Sequence, residues 1–557
     1  MGTPSTPSRW RSLVDQLSQL FPDDVVFSYG CLDRVVIRGY YPALQREDNI
    51  VHFFRDVTGA SVVDSGALAS RTLRYRQWLD EYVRDHQIER VAASKGVRNE
   101  DFVQPYYQQL GRQEGIACIL TSMELGTTFV SYEPRFKTNN DRYRIIKRCR
   151  KLFQHLYFYV FDPVMGPMSL RVGTYLPFSV QAYLNGHSFV AEQLTRQGVG
   201  FEKYDNAILA VDNVTALQAA AAALTPELIR QRCDHWARQL APAFTRAERD
   251  AANLAGYHYS VAQVEYAYDT IFRPQTALSA LFRRLSELGA FLGGADRTMT
   301  VFGRRINCRY QGKLMTALEA ANQGHPVLRA YYQTSYAKLY GKPDEVRHDR
   351  CLRAEVCIND PYHLGVKRGL EYLPTLIERM AGTAERYLDL HADLLDSTVD
   401  TGQLAALAQP TVRGKRRIPG IRLQDDRVLR LLEVLLQPGG LVADWTTADL
   451  HTRVLERHQL APESYRPSQL RYDLWKLRAK GLVERVGTTR RYRLTAAGSR
   501  LGVLLVKLRF RLLGPLVTLA TTPRPHSSTP ATAAEAAIRT LDHALGDVLT
   551  ALAIRAA

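Results

Sequence analysis

The chain has 557 residues, is 46% hydrophobic and carries a formal net charge of +17. Its length exceeds what one hydrophobic core serves, so about three or four domains are expected. The hydrophobic share excludes a generally disordered chain, and the surplus of Lys and Arg directs attention to polyanionic partners, nucleic acid ahead of membrane.

Seven cysteines are scattered without a Cys-x-x-Cys pair. An odd, unpaired set disfavours a disulfide framework or a zinc ribbon and fits a cytoplasmic protein. The first residues, Met1 to Thr6, show no apolar signal core, and their loose match to a myristoylation pattern is read as chance.

In chain order, Trp10 to Leu20 reads as a short amphipathic helix. Val25 to Tyr29 and Val35 to Tyr40 read as two strands around Gly30 to Arg34. Ile50 to Val57 and Leu68 to Asp85 read as helices, and Ile88 to Ala93 and Ile116 to Thr121 as strands. This alternation predicts a mixed α/β domain over 1–213. Within it, the basic stretch from Arg135 to Lys151 is interleaved with Tyr132, Phe136 and Tyr143, a composition that suits a nucleic-acid backbone and its bases, or else a solvated face. A hairpin is predicted from Leu156 to Tyr175 across the turn Pro163 to Gly166. Asn185-Gly186 reads as a second hairpin turn, with His187 as a metal ligand or, more commonly, a capping or core histidine.

Residues 214–300 read as a helical region and 301–400 as a second α+β region that ends in a long helix, Glu371 to Leu395. Residues 411–422 form a basic linker whose Lys415, Arg416 and Arg417 could follow phosphates. A compact module is predicted over 423–498, followed by a helical tail over 499–557 with a Pro/Ser/Thr-rich stretch. The apolar run Leu501 to Ala520 is broken by Lys507, Arg509, Arg511 and Pro515, so a packed helix is expected rather than a membrane span.

The module at 423–498 reads as helix, helix, helix, hairpin. Asp425 to Leu436 is the first helix, Thr446 caps the second, and Ser468 is expected to cap a third running to Lys480. The hairpin spans Leu482 to Thr495 around Gly487-Thr488-Thr489. The phrase Leu477 to Arg485 followed by Tyr492 to Gly498 resembles the winged-helix domain of MarR-like and ArsR-like bacterial regulators. That resemblance implies duplex DNA as partner, with the third helix in the major groove. Arg471, Tyr472, Trp475, Lys476 and Arg478 would then face base edges, and Arg490, Arg491 and Arg493 would meet phosphates or the minor groove.

Two constellations carry the chemistry. Lys338 and Tyr340 share one face of a predicted strand, and Arg353 and Glu355 share a face of the next. Pairing the strands would assemble a tyrosine nucleophile, a carboxylate for a metal or proton, and cations to hold a phosphate, the parts of phosphoryl transfer. A polar face on which Glu355 is simply ion-paired is the bland alternative. The pattern Lys-x-Tyr-x-Lys then Leu-Arg-x-Glu resembles a strand pair of rolling-circle replication initiators of plasmids and filamentous phages. The His-hydrophobic-His metal motif of those enzymes is absent. The second constellation is Asp33, Glu124 and Asp162, each at or near a predicted strand end, which could converge on Mg²⁺. Walker and dinucleotide-binding glycine loops are absent, which disfavours ATPases and dehydrogenases.

The phrases Leu32 to Tyr40, Ala117 to Glu124, Tyr183 to His187 and Tyr204 to Asn206 resemble a large group of uncharacterised bacterial proteins, a likeness that brings no activity with it. The expectation is a multidomain α/β or α+β nucleic-acid-binding protein. Its body would process DNA or RNA, as a metal-dependent nuclease or phosphoryl transferase of a mobile or defence element. The alternative is a non-catalytic winged-helix regulator or architectural protein. DNA is the expected partner, RNA the alternative, and homo-oligomerisation is left open.

Overall fold

The computed structural model describes residues 16–93, 99–133, 144–254, 256–273, positions between 278 and 285, 297–299, 314–321, 325–342, 350–395, 406–413, 416–421, 425–437, 440, 442, 444–509 and positions between 536 and 544. The chain divides into two compact units, Met1–Asp396 with Gln437–Trp445, and Ser397–Leu436 with Thr446–Ala557. Its architecture is mixed α/β and multidomain.

The first unit is built on one twelve-stranded sheet. In chain order its strands are β1 (Val25–Tyr40), β2 (Arg90–Ala92), β3 (Gly115–Tyr132), β4 (Ile145–Asp162), β5 (Gly166–Gly173) and β6 (Val180–Asn185). A separate two-stranded hairpin, β7 (Phe201–Tyr204) and β8 (Ala207–Val211), comes next. The sheet then takes β9 (His258–Phe272), β10 (Arg297–Met299), β11 (Leu314–Ala321), β12 (His325–Tyr332), β13 (Ser335–Lys342) and β14 (Cys351–Ile358). The spatial order is β10-β11-β12-β13-β14-β9-β1-β6-β5-β4-β3-β2.

This order corrects the predicted division at 213, 300 and 400. The early and late β segments are halves of a single sheet, joined where β9 pairs with both β1 and β14. β9 lies inside the stretch read as helical. Its alternating Val264, Tyr266 and Tyr268 suit a strand buried on one face, and the alanine-rich helices before it hid that period.

β1 is one 16-residue strand, not two. Against β9, Leu32 pairs with Tyr266 and Arg34 with Glu265, which leaves Asp33 as an extra residue in a bulge. Such a bulge re-aims a side chain without ending the strand. On one face of the sheet, Val35 and Ile37 of β1, Leu170 and Val172 of β5, Phe158 of β4, Val264 of β9 and Val356 of β14 join one core with the helices Ser65–Asp85 and Leu373–Leu395. The other face carries the charged residues.

Asn185 does not begin a hairpin turn. It ends β6 and caps the helix Gly186–Arg196, accepting a hydrogen bond from the Ser188 amide at 2.9 Å. A β-carbon at Gly186 would lie 1.9 Å from the backbone oxygen of Leu32, so glycine is what lets this helix sit on β1. Gly186→Ala should destabilise the protein by roughly 1–3 kcal/mol, the usual cost of overpacking. Urea unfolding should show a lower midpoint with an unchanged m value, and a wild-type midpoint would refute the packing account.

In the second unit, the helices Asp426–Leu435, Thr447–Arg457 and Pro467–Ala479 are followed by the antiparallel pair Val483–Arg485 and Arg491–Leu494, in the predicted order. Asp425 and Thr446 cap the first two helices. Ser468 does not cap the third: Arg466 holds that position, and the Gln469 side chain accepts from its amide at 2.7 Å. Pro467 fills the first turn, where a missing N–H costs nothing. The predicted extended linker contains a short hairpin instead, Thr411–Arg413 with Arg416–Ile418. The apolar tail begins with the helix Ala496–Leu508, and among the described residues no helix is long and apolar enough to cross a membrane.

Candidate functional site

β13 and β14 pair so that Lys338 lies opposite Glu355 and Tyr340 opposite Arg353. Directly paired residues share a sheet face, so all four side chains meet on the polar side. Glu355, only 2% exposed, is held from two directions. The Lys338 ammonium lies 2.8 Å from Oε1, and the Tyr340 hydroxyl donates to Oε2 at 3.0 Å. The same ammonium sits 4.7 Å from the centre of the Tyr340 ring. Burial first, and then the Glu355 charge, push the Tyr340 hydroxyl well above its ordinary pKa.

Two neighbouring strands complete the cluster. Glu265 of β9 pairs with Cys357 of β14 and with Arg34 of β1, and the β1 bulge turns Asp33 inward. One carboxylate oxygen from each of Asp33, Glu265 and Glu355 lies within 4.8 Å of the others, a spacing suited to one hard cation. Among the described residues Glu265 forms no ion pair; the Gln263 amide donates to it at 2.8 Å. Burial, then Glu355 and Asp33, push its carboxyl up to about 7. Lys338 and Arg34 oppose that rise without cancelling it, and a divalent cation would add the compensation that remains.

Beneath this cluster lies a closed ionic network. Arg353, fully buried, donates to both oxygens of Asp269, at 2.6 and 2.7 Å, to the Asn206 carbonyl at 2.7 Å, and to Asp33 at 3.4 Å. His187, on the helix that Gly186 seats, places its ring nitrogens 3.2 Å from Asp33 and 3.5 Å from Asp269. Asn206, at the β7–β8 turn, donates to Asp33. Burial works to raise both aspartates, but the His187 ring and Arg353 overcome it, and both carboxyls are held well below the usual range. Asp33 thus ties the carboxylate cluster to the buried ionic network.

The predicted trio of Asp33, Glu124 and Asp162 does not converge. Glu124 accepts from Tyr157 at 2.6 Å and from Arg171 at 2.7 Å. Asp162 is fully buried, accepting from Arg232 and Trp236 at 2.7 Å each and from the Val164 and Met165 amides. Both serve as anchors for local structure. Glu265 and Asp269 replace them beside Asp33. The four-residue interval between those two acids, on an alternating apolar stretch, was the available signal: it places both on one strand face.

In the second unit, Arg471 and Tyr472 of the third helix are exposed, and Trp475 and Arg478 partly so. Lys476 is not an outward reader: it is 6% exposed and lies 2.8 Å from Asp425. On the hairpin, Arg490 is exposed and Arg491 half-buried, while Arg493 is paired with Glu484 at 2.7 Å. Arg417 is exposed; Lys415 and the Arg416 side chain lie outside the described residues.

No family model matches the chain, and no curated protein does. Among solved structures it is similar to the rolling circle replication initiator protein from Geobacillus stearothermophilus, at 10% identity and a TM-score of 0.18, over 74% of this chain and 97% of that one. A score that low supports no inference about chemistry, which rests on the residues themselves.

Proposed function

We propose that this is a nucleic-acid-processing protein. In this reading a divalent cation held by Asp33, Glu265 and Glu355 supports phosphodiester chemistry, and the C-terminal helices and hairpin dock duplex DNA. The observation that carries it is the meeting of three carboxylates with Tyr340 and Lys338 on one sheet face. Mg²⁺ or Mn²⁺ would polarise a phosphoryl oxygen there. Tyr340 would attack phosphorus, forming a phosphotyrosyl ester. Its proton passes to Glu355, already its acceptor at 3.0 Å, and the departing sugar oxygen takes a proton from Lys338.

The test is incubation of labelled single- and double-stranded DNA and RNA with Mg²⁺ or Mn²⁺, scoring cleavage and label that stays on the denatured protein. Wild type should cleave and Tyr340→Phe should lose the covalent adduct; absence of cleavage on every substrate with both metals would refute catalysis. A second reading, binding without catalysis, is favoured by one observation: Lys338 already neutralises Glu355. It predicts retention without cleavage.

For the second unit, Arg490→Ala with Arg491→Ala should weaken duplex binding on all sequences and lower the salt slope by about two, at one released counterion per lost contact. Electrophoretic retention across a salt series measures this. Unchanged affinity at low salt would remove the hairpin from the DNA interface.

A further inference from the structure

A second feature of the polar sheet face lies away from the carboxylate cluster. A cleft of about 370 Å³ is lined by sixteen residues, among them Arg38, Arg148, Arg150, Arg171 and His155, and no carboxylate is in the lining. Four guanidinium groups around one cleft repel each other unless an anion or water separates them. Arg171 is compensated by Glu124, and Arg148 lies against Gln45, its side chain at 3.4 Å, and against Glu47, which accepts from its backbone amide at 3.1 Å. Among the described residues Arg38 and Arg150 form no ion pair. An interior built for stability would not gather cations this way. A cleft that takes a polyanion would.

Its position names the polyanion. Arg38 on β1 and Arg171 on β5 both pair with Gln181 of the intervening β6, so they share the face and stand roughly 10 Å apart, two strand spacings. Four residues up β1, on the same face, Arg34 lies opposite Glu265 of the carboxylate cluster and over the Tyr183 ring. The cleft is therefore about 13 Å along β1 from the cluster, at 3.3 Å per residue. That span equals about four nucleotides at the 3.4 Å rise of a duplex strand. We propose that this arginine cleft seats the phosphate backbone of the nucleic-acid strand whose scissile phosphate reaches Asp33, Glu265 and Glu355, with Arg34 at the cluster end of the span. The assignment rests on the function proposed above and names the part of the substrate that the cluster does not hold.

The test uses full-length protein in EDTA, so that binding is read without cleavage. Fluorescence anisotropy of labelled single-stranded and duplex oligonucleotides is followed across a salt series for wild type, Arg38→Ala/Arg150→Ala and the charge-retaining Arg38→Lys/Arg150→Lys. The alanine variant should bind at least tenfold more weakly at 0.1 M salt, with a salt slope shallower by about 1.4 on single strands or 1.8 on duplex, and the lysine variant should recover the slope. Inorganic phosphate and mononucleotides are added as competitors. If they bind with the same arginine dependence and oligonucleotides do not displace them, the cleft is a small-anion site and the backbone assignment fails. It also fails if the alanine variant binds oligonucleotides with wild-type affinity and slope. The two proposals separate cleanly: Glu355→Gln that cleaves like wild type overturns the catalytic reading while leaving the cleft result intact, and a silent arginine variant does the reverse.

Discussion

Glu355→Gln should cut metal-dependent cleavage by about 10²–10⁴-fold, the range for losing a positioned acid–base group, and leave oligonucleotide binding in EDTA close to wild type. The substitution is nearly isosteric and keeps an oxygen to accept from Tyr340, so the fold survives. What disappears is one anionic cation ligand and the acceptor for the Tyr340 proton. Asp33→Asn should behave similarly but with some loss of stability, because Asp33 also meets His187 and Arg353. The pH dependence follows from Glu265, whose carboxyl is pushed up to about 7 by burial and by its two acidic neighbours. A proton and a cation compete for that carboxylate. Mn²⁺ affinity, read by calorimetry, should rise with pH through about 7. The folded protein also binds this proton more tightly than the unfolded chain, where a glutamate titrates near ~4.3. The metal-free protein should therefore lose stability as pH rises across that interval, and Glu265→Gln should flatten the slope. Calorimetry that finds no Mn²⁺ binding at pH 8 would leave the three acids as a polar network only.

The β13–β14 part of this site was legible because strand geometry is local. Alternation put Lys338 and Tyr340 on one face and Arg353 and Glu355 on another, and the register joined them. Asp33 was legible as an acid near a strand, but not its role, since the bulge that turns it inward exists only through pairing with β9. Glu124 and Asp162 look equivalent to Asp33 in sequence. What separates them is long-range: Arg171 and Arg232, 47 and 70 residues away along the chain, neutralise them in place. The same holds for the architecture. The cap at Thr446 is short-range and was readable, while Asp425, read as the first residue of its helix, is that helix's cap. The union of two β regions through β9 depends on contacts between strands more than two hundred residues apart, for which the sequence pattern carries no register. Lys476 failed as a reader for a related reason: its partner, Asp425, sits on another helix.

Arg353→Met should be the most destabilising substitution in the first unit, by about 3–5 kcal/mol, the usual cost of removing one partner of a buried ion pair. Methionine matches much of the volume, so the loss is electrostatic. Asp269 is fully buried and receives two hydrogen bonds from Arg353, and without them, among the described residues, His187 is the ion-pair partner that remains. The pH profile distinguishes this from a packing defect. In wild type, Asp33 and Asp269 are depressed below the value near ~3.9 of an unfolded aspartate, so their stabilisation is complete above that value and is lost as pH falls below it. In the variant, burial is no longer opposed by the guanidinium, so Asp269 should titrate above its unfolded value. Its protonation then relieves the uncompensated charge, so the variant should gain more stability than wild type as pH falls toward 5, on top of the gain from Glu265 that both share. Asp269→Asn in the Arg353→Met background should restore part of the loss, since it removes that charge directly. Chemical denaturation of the three proteins at pH 5 and pH 8 measures all of these effects. A pH-independent deficit that Asp269→Asn fails to reduce would show that Arg353 acts by filling space and not by holding the acids that aim Asp33 at the cluster.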